Sequence, residues 1–179
     1  MLHLQKVAQY VENFGKNIIL IGFMGSGKST VGKLLAKKLG HVFVDMDQVI
    51  EKQEGRSITD IFQTEGEQHF RKLERELLSS FTANQGLVIS TGGGVPCFEN
   101  NMNLINALGK SIYLQLSPKK LAERLKNEKN SRPLIKSMND DELLLFIEKK
   151  LAERELYYLQ SKLILPISEQ SASEIVSLV

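Results

Sequence analysis

Asn17-Ile18-Ile19-Leu20-Ile21-Gly22-Phe23-Met24-Gly25-Ser26-Gly27-Lys28-Ser29-Thr30 is the stretch that decides the fold. Its first half is a short β-branched and leucine-rich run ending in glycine, the pattern of a buried strand. From Lys28 a helical pattern follows, with Val31, Leu34, Leu35 and Leu39 on one face and Gly40 suited to a left-handed C-terminal cap. Between strand and helix, Gly22 to Ser29 matches G-x-x-x-x-G-K-[ST] in the context its mechanism demands. Glycines let successive backbone N–H groups approach a phosphate, and the helix N-terminus adds partial positive charge. Lys28 is placed to reach the β- and γ-phosphates and the Ser29 hydroxyl to ligate magnesium. A nucleoside triphosphate with Mg²⁺ is the first expectation.

Outward from this stretch the chain keeps alternating. Further strands are expected at 42–44, 87–91, 111–116 and near 163–165, separated by helical segments, which implies a parallel sheet covered on both faces. Phe70, Leu73, Leu77, Leu78 and Phe81 line one face of a helix of about four turns. Residues 118–126 read as a helix, 127–141 as a polar loop and 142–158 as a long helix, while residues 1–16 carry Leu4, Val7, Ala8 and Val11 at the spacing of a short amphipathic helix rather than an export signal.

The composition suits one ordinary globular domain. The 179 residues are 42% hydrophobic and 25% charged, with 23 basic and 21 acidic side chains. A net charge of +2 gives no reason to expect nucleic acid or an anionic membrane as partner. The single cysteine, Cys97, excludes an internal disulfide framework and points to a reducing, cytoplasmic compartment. No apolar run approaches the ~20 residues of a bilayer span. The charge is unevenly distributed, however: residues 119–136 hold seven basic and two acidic side chains, a segment of +5.

A phosphate loop of this kind usually works with an acid at the end of a neighbouring strand. The strand at 87–91 runs into Ser90-Thr91-Gly92 without a carboxylate, whereas the strand at 42–44 runs into Asp45 and Asp47. If the chain stays extended, both can face the crevice above the sheet, one toward the metal and one toward an acceptor hydroxyl. Equally, Asp47 can cap a helix over 48–52.

Several separated motifs together give the chain its resemblance. Gly22 to Thr30, then Phe43-Val44-Asp45-Met46-Asp47-Gln48-Val49-Ile50-Glu51, Gly66-Glu67 with Phe70-Arg71, Ser90-Thr91-Gly92-Gly93-Gly94, Arg132-Pro133-Leu134, and Arg154 before Tyr157-Tyr158 follow in order. In this set the chain resembles the shikimate kinase family over roughly residues 17–165. The resemblance implies a three-layer α/β fold of the P-loop NTPase type, with a central parallel sheet of about five strands, an acceptor-binding helix at about 66–82 and a lid at about 127–141. It implies that ATP and shikimate are the substrates, that Asp47 is the catalytic base and binds a shikimate hydroxyl, and that Arg71, Gly92, Gly93, Gly94 and Arg154 grip the acceptor. Gly25, Ser26, Gly27, Lys28, Ser29 and Thr30 would hold ATP, with Arg124 along the adenine and Arg132 closing on the phosphates. Ser29 and Asp45 would hold Mg²⁺, Asp45 through water. A monomeric protein, acting without nucleic acid or membrane, completes the expectation.

The residues support this picture unequally. Arginine offers two parallel hydrogen bonds to a carboxylate, as a small acidic substrate requires. Arg154 has no acidic neighbour three or four residues away, whereas Arg71 has Glu67 and Glu74 at those spacings and reads as well as a surface ion pair. The glycine triplet reads either as a flexible turn or as a place where backbone must come close to a ligand. Two other functions fit less well. A gluconate or nucleoside monophosphate kinase of the same architecture would need a different acceptor site, and a nucleotide-switched RNA binder would be expected to interleave aromatic residues in the +5 segment.

Overall fold

Every residue of β1 (Asn17–Ile21) is buried. Successive side chains of a strand point to opposite faces, so the sheet is covered on both sides there. The structure, a computed structural model, describes residues 15–127, 135–167 and 171–178. After β1 come α1 (Lys28–Leu39), β2 (Val42–Asp45), α2 (Met46–Glu54), α3 (Ile58–Ser80), β3 (Leu87–Ser90), a 3-10 turn (Val95–Cys97), α4 (Asn101–Leu108), β4 (Gly109–Gln115), α5 (Pro118–Lys126), α6 (Asp140–Tyr158), β5 (Leu163–Pro166) and α7 (Ala172–Ser177). The five strands are parallel in the order β2-β3-β1-β4-β5.

This is the α/β architecture expected, with some boundaries moved. β4 begins two residues earlier than its apolar run because Asn17 pairs with Gly109; a side chain on Gly109 would meet the Asn17 backbone. Asn17 is itself fully buried, and its amide ties four backbone groups: Nδ2 donates to Thr82 O and Leu108 O, and Oδ1 accepts from Gln85 N and Leu87 N. α6 starts at Asp140 rather than 142, set by a capping box in which Asn139 and Glu142 exchange hydrogen bonds. β5 extends to Pro166, tolerable at an edge strand where no donor is needed on the open side. α7 went unforeseen, although Ser171 and Glu174 form a capping box at its start.

The segment expected as one helix over 66–82 belongs to α3, which runs from Ile58 to Ser80 and is broken at Gly66 (φ 82°, ψ 173°). That backbone region is accessible essentially to glycine alone. The kink lets the first part of α3 lean on α2 while Phe70, Leu77 and Leu78 enter the core and Phe62 packs on Phe70 with ring centroids 4.9 Å apart. The N-terminal segment 1–14 and residues 128–134 of the expected lid, Arg132 among them, lie outside the described residues.

Candidate active site

The C-terminal ends of β1, β2 and β3 meet in one crevice, because β3 lies between the other two. From β1 comes the phosphate loop. Lys28 is only 9% exposed, and its Nζ donates to Gly22 O at 2.8 Å and Phe23 O at 3.0 Å, so the loop curls around the ammonium group. Gly27 precedes α1 in the left-handed conformation, φ 91°. Ser26 Oγ is buried inside the loop without a hydrogen-bond partner. Arg124, on α5, lies along the outside of the loop with Nη1 3.4 Å from both Gly25 O and Ser26 O.

The end of β2 and the start of α2 bring the two aspartates, in different surroundings. Ser29 Oγ donates to Asp45 Oδ2 at 2.7 Å, joining a hydroxyl and a carboxylate beside Lys28. The reading of Asp47 as a helix cap over 48–52 is corrected: α2 begins at Met46, Asp45 occupies the cap position, and Asp47 sits in the first turn. Its carboxyl is held above the usual aspartate range, first by burial and then by the neighbouring charges of Asp45 and Glu51, against the pull of Lys28 and Arg71.

From β3 comes the glycine triplet, and the surroundings decide what it is for. A Cβ on Gly92 would lie 2.6 Å from Glu74 Oε1 and 2.9 Å from Asp47 Oδ1, so both carboxylates close on the space a side chain there would fill. A Cβ on Gly93 would lie 3.3 Å from Arg154 Nη1, and one on Gly94 would overlap the Arg71 guanidinium. Two arginines and two carboxylates close on the triplet, so a flexible turn is the wrong description. Arg154 also packs over the Phe23 ring at 5.6 Å and makes no ion pair with any described residue.

The intrahelical ion pairs expected of Arg71 are present, but they do not make it a surface residue. Its guanidinium pairs with Glu67 at 2.9 Å and Glu74 at 2.5 Å, yet the side chain is only 14% exposed and lies in the crevice. Glu74 is the crevice residue the sequence reading missed, because three residues from an arginine on a helix it looks like a solvent partner. It is 1% exposed. Burial outweighs the attraction of Arg71 and pushes its carboxyl up to about 7. Against an ordinary value of 4.5, the folded state then takes up a proton that the unfolded chain has released. Stability from this group is full below pH 4.5 and is lost as pH rises through about 7, by roughly 3 kcal/mol at most. Melting curves of the native protein and of Glu74→Gln should therefore diverge between pH 5 and 8, the native chain losing stability; parallel curves would show that Glu74 does not titrate in this range.

The +5 segment behaves mainly as a solvated surface where it is described. Lys120 pairs with Glu123 at 3.2 Å and Lys126 with Asp140 at 2.9 Å, all largely exposed. Cys97 is half-buried, and burial pushes its thiol up to about 11, which leaves it unreactive at neutral pH. Among the described residues no helix is long and apolar enough to cross a membrane.

A phosphate loop on the central strand, acids on the next strand end and an arginine-lined acceptor crevice define an ATP-dependent kinase of small molecules. The shikimate kinase family model matches residues 24–179. Shikimate kinase from Azobacteroides pseudotrichonymphae is 43% identical over 162 residues, 90% of this chain and 95% of that protein. Among solved structures, shikimate kinase from Bacteroides thetaiotaomicron matches with TM-score 0.85 and 37% identity, over 91% of this chain and 95% of that one. Shikimate kinase from Acinetobacter baumannii in complex with shikimate matches with TM-score 0.81 and 32% identity, over 93% of both chains. The chain belongs to the shikimate kinase family.

Proposed function

We propose that this chain transfers the γ-phosphoryl group of ATP to the 3-hydroxyl of shikimate, giving shikimate 3-phosphate and ADP, with the work divided among the residues of the crevice. The observation that carries the reading is the convergence of Asp47, Arg71 and Arg154 on the glycine triplet beside the phosphate loop. Arg71 and Arg154 offer planar, permanently charged donors to the acceptor carboxylate, and the triplet lets its backbone come close. Asp47 orients the 3-hydroxyl and takes its proton as the new P–O bond forms and the bond to ADP breaks. A base raised above the ordinary aspartate range is better matched to that task than an exposed one.

On the nucleotide side, Lys28 exchanges its carbonyl contacts for the β- and γ-phosphates, and the buried Ser26 hydroxyl lies in the same loop. Gly25, Gly27 and Thr30 complete the cradle, Arg124 lies along the adenine and Arg132 closes from the lid. Kinases that use ATP generally require Mg²⁺, and the hydroxyl and carboxylate oxygens of Ser29 and Asp45 are the hard donors that it prefers. When bound, the ion neutralises phosphate charge during transfer. In this reading residues 1–179 form one kinase unit, with an N-terminal extension over 1–16, an acceptor-binding segment near 66–82 and a lid near 127–141, acting as a cytoplasmic monomer.

A coupled assay of ADP release with shikimate, gluconate and nucleoside monophosphates as acceptors tests the assignment. Turnover with shikimate should exceed that with the others by about 10²- to 10⁴-fold, since gluconate carries its carboxylate on a flexible chain and a nucleoside monophosphate has none, so neither holds carboxylate and hydroxyl at the fixed spacing of the two arginines and Asp47. Comparable turnover with gluconate would overturn it.

A further inference from the structure

Against the glycine triplet lies a buried phenol that the mechanism above does not use. Tyr158 is 0% exposed, and its hydroxyl donates to Gly93 O at 2.6 Å. It stands one helical turn beyond Arg154 at the end of α6, so the two side chains share a face. The ring is fixed by Tyr113 on β4, with centroids 5.1 Å apart and planes inclined at 50°. The Tyr113 hydroxyl turns elsewhere, to Glu155 at 3.4 Å. Burial holds the Tyr158 phenol above its ordinary range, so it remains a proton donor throughout the pH range in which the protein works.

Three consecutive glycines have no side chains to fix their peptide planes, and each plane can turn at little steric cost. A trans peptide places the C=O of one residue and the N–H of the next on opposite sides. Anchoring the Gly93 carbonyl therefore also sets the direction of the Gly94 N–H. The same anchor sets the stretch of backbone against which Arg154 and Arg71 lie. We propose that Tyr158 is a positioning residue for acceptor binding: its hydroxyl holds the Gly93 carbonyl and thereby fixes the glycine triplet in the orientation that receives the acceptor carboxylate. The inference rests on shikimate being the acceptor.

Steady-state kinetics of Tyr158→Phe and Tyr113→Phe test it, with thermal melts of both. Each variant removes one hydroxyl from the same packed pair of rings, but only the first loses a contact with the triplet. Tyr158→Phe should raise KM for shikimate about five- to tenfold, the worth of one ordinary hydrogen bond, while KM for ATP stays within about twofold. Tyr113→Phe should leave KM for shikimate within about twofold of the native value. Equal rises in both variants would mean that the hydroxyls serve only packing, and an unchanged KM in Tyr158→Phe would remove the role altogether. Failure of the acceptor assignment looks different, since the native protein itself would then show no shikimate-dependent ADP release.

Discussion

Asp47→Asn should lower kcat by about 10²- to 10⁴-fold, the range for loss of a positioned general base. The substitution keeps the shape and the hydrogen-bonding oxygen but removes the basicity. It also removes a charge close to Asp45, Glu51 and Glu74, all of which oppose that charge in the folded protein. The variant should therefore be at least as stable as the native chain at pH 7, and its affinity for nucleotide should be unchanged. This pairing of lost turnover with retained stability separates a base from a structural carboxylate. Turnover within tenfold of the native rate, measured by coupled ADP release, would exclude Asp47 as the base.

Lys28→Met should cost about 10²- to 10³-fold in kcat, as expected when one donor aimed at developing charge is removed. Its effect divides differently from that of Asp47. Lys28 also holds two loop carbonyls, Gly22 O and Phe23 O, and is nearly buried. Methionine leaves both carbonyls without that donor, so the phosphate loop should loosen and nucleotide affinity should fall together with turnover. Calorimetric titration with ADP and a thermal melt distinguish the two parts. Loss of turnover with unchanged ADP affinity would mean that the ammonium acts on the transferring group alone, and unchanged turnover would contradict the assignment of Lys28.

What could be read from the sequence follows from how local each signal is. Gly22 to Ser29 is contiguous and its chemistry is carried by backbone geometry, so strand, loop and helix were all legible. Asp45 and Asp47 were legible because a strand end fixes where its neighbours point. Their separate roles came from the resemblance alone, and what the structure adds is the Ser29–Asp45 hydrogen bond that joins Asp45 to the helix opened by the phosphate loop.

Glu74 and Tyr158 show the limit. Each lies on a long helix and becomes part of the crevice only through tertiary geometry: the break at Gly66, and the sheet order that puts β3 between β1 and β2. No periodicity encodes that order. Arg71 made the point in another way, because its intrahelical partners suggested a surface pair, and the pair exists but is buried in the crevice.

Which oxygen receives the phosphate decides whether this chain phosphorylates shikimate at carbon 3. Phosphorus NMR of the product formed from ATP and shikimate, with proton coupling resolved, identifies the modified carbon directly. The expected product is a single phosphate monoester coupled to the ring proton at carbon 3, formed in step with ADP. A monoester at another hydroxyl, or ADP accumulating with free phosphate and unmodified shikimate, would contradict it.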